Sequence, residues 1–241
     1  MKNSIDAYDI KSRVEAYDAD MEIMHPNRSK MVEISLEFMP LDNKASIHAL
    51  DLGVGTGFFT KKFIEKFPNA HVVAVDGAAS MIDCARSRLG SLATSVDFML
   101  ADFRNLDEVL SKDVLFDVVF TSFALHHLTV EEKLQMLKVV LQHLKPGGMF
   151  FNADCIIGET PELEKRFQEL RVEGIVERAG PSHKLFKDFA TTRASLDRLE
   201  REEKDNPIKV SEELQIISDA GFTDVDILWK EYRETVMYGR R

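Results

Sequence analysis

Four short stretches of this 241-residue chain combine residue types and spacings that could bind or transform a ligand. The first is Asp51-Leu52-Gly53-Val54-Gly55-Thr56-Gly57, at the end of an apolar run and directly before a Phe-rich amphipathic segment. Glycines at alternate positions let the backbone approach a ligand closely and take dihedrals other residues resist. A dinucleotide fingerprint has two residues between its second and third glycines. Here one residue separates Gly55 from Gly57, and Phe58 stands where the third glycine would fall, so NAD is disfavoured. No Gly-Lys-Ser/Thr follows, so a Walker-type phosphate loop is absent. A tight strand-to-helix turn without a ligand is the plain alternative.

The second and third stretches put an acid at a strand end: Asp76 in HVVAVDG, and Asp102 in Ala101-Asp102-Phe103, where an aromatic ring follows the acceptor. The fourth is Thr121-Ser122-Phe123-Ala124-Leu125-His126-His127-Leu128. Imidazole titrates near neutral pH, so His126 or His127 could act as general base toward an acceptor hydroxyl or nitrogen, or one ring could simply pack. A metal pair is disfavoured on the expectation that adjacent side chains diverge, and no third ligand is evident nearby.

These residues sit where alternating apolar runs and amphipathic stretches demand a βαβ arrangement. Strands are expected at IHALDLG, HVVAVDG, VDFMLAD, DVVFTSF and MFFNADC. Phe59, Phe63 and Phe67 recur at a spacing of four, opposite Lys61, Lys62, Glu65 and Lys66, in a helix that Pro68 ends. Ser80 with Asp83, and Thr129 with Glu132, have the pattern of capping boxes opening two more helices. Gly90 ends the first of these helices, and Pro146-Gly147 is the exit from the second. The expected fold is α/β: a doubly wound, mostly parallel seven-stranded sheet, Rossmann-like, with an antiparallel C-terminal hairpin (VDILWKEY and ETVMYGR) and a helical cover. One domain spans 1–241. It divides into an N-terminal helical cover at 1–44, broken around Pro26, a core at 45–155, a helical insertion at 156–206, and a C-terminal helix and hairpin at 207–241.

Composition sets the wider bounds. Apolar residues make up 44% and charged residues 30%, an ordinary globular balance. No apolar stretch reaches the roughly 20 residues of a membrane helix, and MKNSIDAYDI lacks the apolar core of a leader, so the expected location is cytoplasmic. Cys84 and Cys155, the two cysteines, read as small buried residues and not as a disulfide or zinc pair. A net charge of −10 repels phosphate backbones and disfavours nucleic acid as partner.

The DLGVGTG run, with the acids at 76 and 102 and the Leu144-Lys145-Pro146-Gly147-Gly148 turn, resembles the class I S-adenosylmethionine-dependent methyltransferases, closely from Ile47 to Asp154 and loosely elsewhere. The resemblance implies S-adenosylmethionine as cofactor. Gly53 and Gly55 would line its methionine and ribose, Asp51 would hold its amino group, and Asp76 both ribose hydroxyls. Asp102 would accept from the adenine amino group, with Phe103 on the ring. Two fixed carboxylate oxygens suit a vicinal diol, and an acceptor beside an aromatic suits a purine. Gly57, Gly77, Met81, Ser122, Tyr17 and Arg28 complete the implied cofactor set, with no metal ligand. Gly77 departs from the family, which often has an apolar residue there against the adenine. The family's acceptor site lies under the N-terminal helices and the insertion, where Tyr17, His25, Arg28, Arg193 and Arg198 fall. The chain is similar in layout to small-molecule methyltransferases and more distantly to carboxy-S-adenosylmethionine synthase, which acts in tRNA modification. Expected activities are therefore methyl transfer to a small-molecule acceptor, a carboxy-S-adenosylmethionine synthase-like or tRNA-modifying reaction, or cofactor binding without turnover. The sequence leaves the oligomeric state open, a homodimer being one option.

Overall fold

The computed structural model describes Ile5, Tyr8, Asp9 and residues 11–241, of which 11–16 as backbone only. The reading of MKNSIDAYDI therefore falls mostly outside the described residues. Strands β1 (His48–Leu52), β2 (His71–Asp76), β3 (Val96–Leu100), β4 (Phe116–Ser122) and β5 (Leu144–Cys155) are parallel. The hairpin β6 (Thr223–Glu231) and β7 (Glu234–Arg240) is antiparallel and joins the sheet through β5. The order is β3-β2-β1-β4-β5-β7-β6, so the winding reverses between β1 and β4. Open α/β sheets bind ligands at the carboxyl ends beside such a reversal.

Side chains alternate across a strand, and that alternation builds two cores. Leu50, Leu52, Val119 and Phe150 face helices α5 (Val130–His143) and α8 (Val210–Asp219), through Leu137, Val140, Ile216 and Ile217. Ala49, Ala74, Val118 and Phe120 face helices α2 (Arg28–Glu37) and α3 (Phe58–Lys66). The Phe59 and Phe63 rings lie 4.3 and 4.9 Å from that of Phe120. The expected doubly wound sheet with its antiparallel hairpin is present.

Thr129 and Glu132 form the capping box that their spacing predicts. Ser80 does not. Helix α4 (Ala79–Leu89) begins one residue before it, which puts Ser80 inside the first turn instead of at the cap. Its N–H and hydroxyl donate instead to Asp9 Oδ1, at 2.9 and 2.5 Å, so a carboxylate 71 positions away caps this helix. Gly90, at φ 54°, ends α4 as expected. Pro146-Gly147 is not a helix exit, because α5 ends at His143 and β5 begins with the next residue.

Helix α1 (Lys11–Met24) and α2 flank Pro26, and α6 (Pro161–Ala179) and α7 (Phe189–Glu203) follow β5. Val172, Ile175, Phe186 and Leu196 form a small core of their own against Ile23 and Met24, which joins the insertion to the N-terminal helices. No helix among the described residues is long and apolar enough to cross a membrane.

A fully buried Lys133 on α5 donates to Glu213 on α8. Truncating one member leaves an uncompensated charge, whereas replacing both with apolar residues removes the desolvation cost. Glu213→Ala is expected to lower stability by about 3–5 kcal/mol in urea denaturation, and Lys133→Met with Glu213→Leu to recover most of it. Equal losses in both variants would show that side-chain volume, not charge pairing, holds α8 in place.

Candidate functional site

The turn after β1 is closed by the N–H groups of Gly53 and Val54, which donate to Val75 O at 2.9 and 3.1 Å. Gly53 sits at φ 75°, and a Cβ there would lie 2.6 Å from the Ala124 Cβ. The glycine thus lets the β4 turn approach the β1 turn. Gly55, at φ 52°, has nothing closer to such a Cβ than a carbonyl oxygen at 3.9 Å, and it borders a cleft. That cleft encloses about 860 Å³ counted to its open mouth.

Asp51, Gly53, Gly55, Asp76, Gly77, Met81, Asp102, Phe103, Ser122, Tyr17, Arg28 and His127 all border this cleft. Gly57 is not among its lining residues. A Cβ on Gly57 would lie 3.2 Å from Ala85, so this glycine serves the approach of α3 to α4. Further lining residues escaped the sequence reading, Ile5, Tyr8, Arg104 and Phe123 among them. Ile5 occupies the space where a Gly77 side chain would project, 2.6 Å from its ideal Cβ, and so supplies an apolar wall that Gly77 lacks. Tyr8 and Arg104 add a phenol and a guanidinium to the lining. Phe123 has φ 50°, an outlier for a bulky residue and a kind of strain that clusters at functional sites.

The polar groups are arranged for a ligand. Asp76 Oδ2 accepts from Gly55 N–H at 2.8 Å and Oδ1 from Ala78 N–H at 2.9 Å, which fixes the carboxylate at the cleft wall. Burial pushes the Asp51 carboxyl up to about 7 against the opposing Thr60 hydroxyl bond, and the nearby Asp76 adds to the rise. Ser122 Oγ is buried with no hydrogen-bond partner. Arg28 donates to Asp18 at 2.8 Å and lies 4.2 Å over the Phe58 ring. Asp18 also accepts from Arg88 and from Thr56 Oγ1, which staples α1 to the sheet's loops. Asp102 takes both oxygens to Arg104 Nε at 2.9 Å, so an approaching amino group would share an already paired carboxylate.

Beyond His127 the cleft meets a larger cavity of about 1700 Å³ counted to its mouth, and Tyr8, Tyr17 and Phe123 line both. His25, His126, Arg171, Arg233, Glu203 and Asp205 are among the second cavity's polar lining. Arg193, expected on the acceptor side, instead bonds Gln168, Asp197 and Glu200. The His pair also departs from expectation. The Leu125–His127 turn is 3₁₀, and it holds the two rings 4.1 Å apart instead of letting them diverge. His126 Nδ1 lies 2.6 Å from Asp154 Oδ1, while His127 Nδ1 lies 3.2 Å and His126 Nε2 3.8 Å from Asp205 Oδ1. Burial disfavours charge on both rings. At His126, Cys155 and Asp154 outweigh burial and raise the pKa well above the usual histidine value. At His127, burial and the His126 charge lower it. Tyr8 OH lies 3.2 Å from His127 Nε2 and donates to Glu203 at 2.7 Å.

A family described as a methyltransferase domain matches residues 49–148, which hold the cleft-forming turns of β1, β2, β3 and β4. The malonyl-[acyl-carrier protein] O-methyltransferase of Acetivibrio thermocellus is 32% identical over 156 residues, 64% of this chain and 53% of that protein. The carboxy-S-adenosyl-L-methionine synthase of Nautilia profundicola is 20% identical over 204 residues, 85% of this chain and 80% of that one. Among the first curated relatives matched, the chain spans about half their length. In fold it is similar to human N-acetylserotonin methyltransferase solved with its cofactor, at a TM-score of 0.61, 18% identity, and 97% and 57% of the two chains.

Asp51 supplies a pH test of the ligand-free site. Its pKa is raised above the usual 3.8, so the folded state keeps a proton that the unfolded chain loses, and this group's contribution falls as pH rises from about 4 to about 7. Asp51→Asn removes that penalty. In urea denaturation the variant should gain about 2–3 kcal/mol relative to the parent between pH 5 and pH 8. A difference unchanged by pH would mean that Asp51 is ionised in the fold at both.

Proposed function

We propose that the chain, whose residues 49–148 match a methyltransferase domain, is a class I S-adenosylmethionine-dependent methyltransferase and transfers a methyl group from this cofactor to a small-molecule acceptor. The observation that carries the proposal is a pair of neighbouring cavities that share Tyr8, Tyr17 and Phe123 as lining, with His127 bordering the smaller and His126 the larger. When bound, the cofactor would supply an electrophilic sulfonium methyl, to which an acceptor lone pair would bond in line while the methyl–sulfur bond breaks and its electron pair stays on the departing thioether.

The chain's residues divide the remaining work. Asp76, fixed by two backbone N–H groups, keeps lone pairs for the ribose hydroxyls. Phe103 and Ile5 border the same cleft and enclose the base. Asp51 and Arg28, an acid and a guanidinium at the inner end, answer the ammonium and carboxylate of the methionine part. A cation near Asp51 offsets the burial that raises its pKa. The lone Ser122 hydroxyl gains a partner in the same way. Tyr8, Tyr17 and Phe123 line both cavities and exclude water between donor and acceptor. His126 and the carboxylate Asp205 orient the acceptor's nucleophilic atom, and His127, kept neutral by burial and the His126 charge, takes its proton where it carries one. Positioning of this kind supplies much of the acceleration in transfer from an already activated donor.

The net charge of −10 favours a small acceptor over nucleic acid. A second reading rests on the carboxy-S-adenosyl-L-methionine synthase of Nautilia profundicola, whose match covers more of both chains. In that case the cofactor is itself carboxylated in the cleft. Mass spectrometry of ligand retained through purification separates the two, because the methyl donor, its demethylated product and a carboxylated cofactor differ in mass.

Calorimetry should give micromolar binding of S-adenosylmethionine or its demethylated product, about −8 kcal/mol, and no binding of NAD. Asp76→Ala should weaken it by roughly 1.5–3 kcal/mol through loss of charge-assisted hydrogen bonds. NAD binding with no response to either sulfur compound would overturn the reading. In hydrogen exchange, cofactor binding should slow Tyr17–Arg28 as well as the turn at 51–57, since Arg28 and Tyr17 line the cleft. Slowing confined to the sheet's turns would remove α1 and α2 from the site.

A further inference from the structure

At the junction of the two cavities, we infer that His126 Nε2, His127 Nδ1 and Asp205 Oδ1 form a site for one divalent transition-metal ion of the zinc class. The three atoms all lie within 4.8 Å of one another. His127 Nδ1 is 3.2 Å and His126 Nε2 3.8 Å from Asp205 Oδ1. An ion bonded at about 2.0–2.1 Å in tetrahedral geometry needs donors roughly 3.4 Å apart, so this spacing closes around an ion with small side-chain movement.

The donors are short of hydrogen-bond partners. His127 Nδ1 and Asp205 Oδ1 are both buried without one, because their approach is misaligned for a hydrogen bond despite its length. Burying such atoms unpaired is costly, and a shared cation satisfies both at once. A proton relay through the same atoms would need the aligned hydrogen bond that is missing here.

The surroundings are those of a ligating pair. The other nitrogen of His126 is held 2.6 Å from Asp154 Oδ1, the carboxylate behind an imidazole that orients the ring so that Nε2 turns to the site, where an arriving ion displaces its proton. The other nitrogen of His127 meets the Tyr8 hydroxyl at 3.2 Å. Asp205 is positioned by the chain reversal at Lys204, at φ 57°, and by its own N–H donating to Glu200 O. The next residue, Asn206, donates its backbone N–H to His126 O at 2.7 Å and its side chain to Leu128 O at 3.2 Å, which clamps the insertion to the histidine turn. Two imidazoles and one carboxylate are a donor set for zinc and its neighbours, and three protein ligands leave a coordination position free. His127 borders the cofactor cleft, while His126 and Asp205 border the larger cavity. The free position thus faces the space where an acceptor's oxygen, nitrogen or sulfur would lie beside the donor methyl.

The test uses the full chain after chelation and dialysis, without S-adenosylmethionine, so its outcome is independent of the methyltransferase reading. Titration with Co²⁺ should give visible d–d absorption saturating at one equivalent, and Zn²⁺ should displace it. Asp205→Asn and His127→Gln should each weaken Co²⁺ binding at least about 100-fold while keeping the parent's circular dichroism. Cys155→Ala should leave binding unchanged, because Cys155 belongs only to a second grouping, with His126 and Asp154, that shares no carboxylate with this one. No saturable Co²⁺ band in the parent overturns the site. So does full binding in both Asp205→Asn and His127→Gln, or loss in Cys155→Ala alone. If one ligand variant fails to fold, the other decides. Calorimetric S-adenosylmethionine binding that persists in the metal-free protein marks a failed metal site as separate from a failed cofactor site.

Discussion

The site hangs on one buried carboxylate. Asp154, at the end of β5, accepts the His126 backbone N–H through Oδ2 at 3.1 Å, meets the His126 ring at 2.6 Å through Oδ1, and takes the Cys155 N–H on the same oxygen at 2.8 Å. A buried carboxylate is tolerable only when fully bonded. These three bonds bind the ends of β4 and β5 into one corner, and β4–β5 pairing puts Ser122 opposite Ala153, one residue before it. The rings of the histidine turn cannot swing away without stranding that charge.

Everything above the sheet is docked onto this corner. The insertion arrives through Asn206 and Asp205, and the N-terminal segment through Tyr8, which bridges His127 and Glu203. On the other side of the cleft a second carboxylate, Asp18, gathers Arg28, Arg88 and Thr56. Further polar contacts, His25 and Asn27 to Glu234 and Asp9 to Ser80 among them, and the small core around Val172 and Phe186 also hold the cover. Helix α2 belongs to the second apolar core through Val32 and Leu36, so this part of the cover stays with the sheet.

Strain is concentrated at the same place. Phe123 takes φ 50° in order to turn β4 sharply, with its N–H donated to Ala153 O at 2.9 Å and its ring 4.4 Å from His25. Its side chain thereby stands between the smaller cleft and the larger cavity and borders both. A residue with a relaxed backbone would send β4 on past the corner and leave His126 away from Asp154.

The elements were legible from the chain alone because their causes are local. Period-two apolar runs define β1 to β5, the Phe59-Phe63-Phe67 spacing defines a buried helix face, and Thr129 with Glu132 caps α5 within a single turn. The glycine spacing and the strand-end acids at 51 and 76 were also readable, since each lies within a few residues of the turn that presents it. What the fold alone decided are meetings between residues far apart. Asp205 reaches His127 across 78 positions, Tyr8 reaches it across 119, Asp9 caps α4 in place of Ser80, and Ile5 fills the wall that Gly77 leaves open. Sequence spacing sets where a side chain points from its own element, but which distant element comes to lie opposite is set by sheet register and helix packing. The adjacency of His126 and His127 thus gave no hint of a common partner, and only the closed corner around Asp154 brought one within reach.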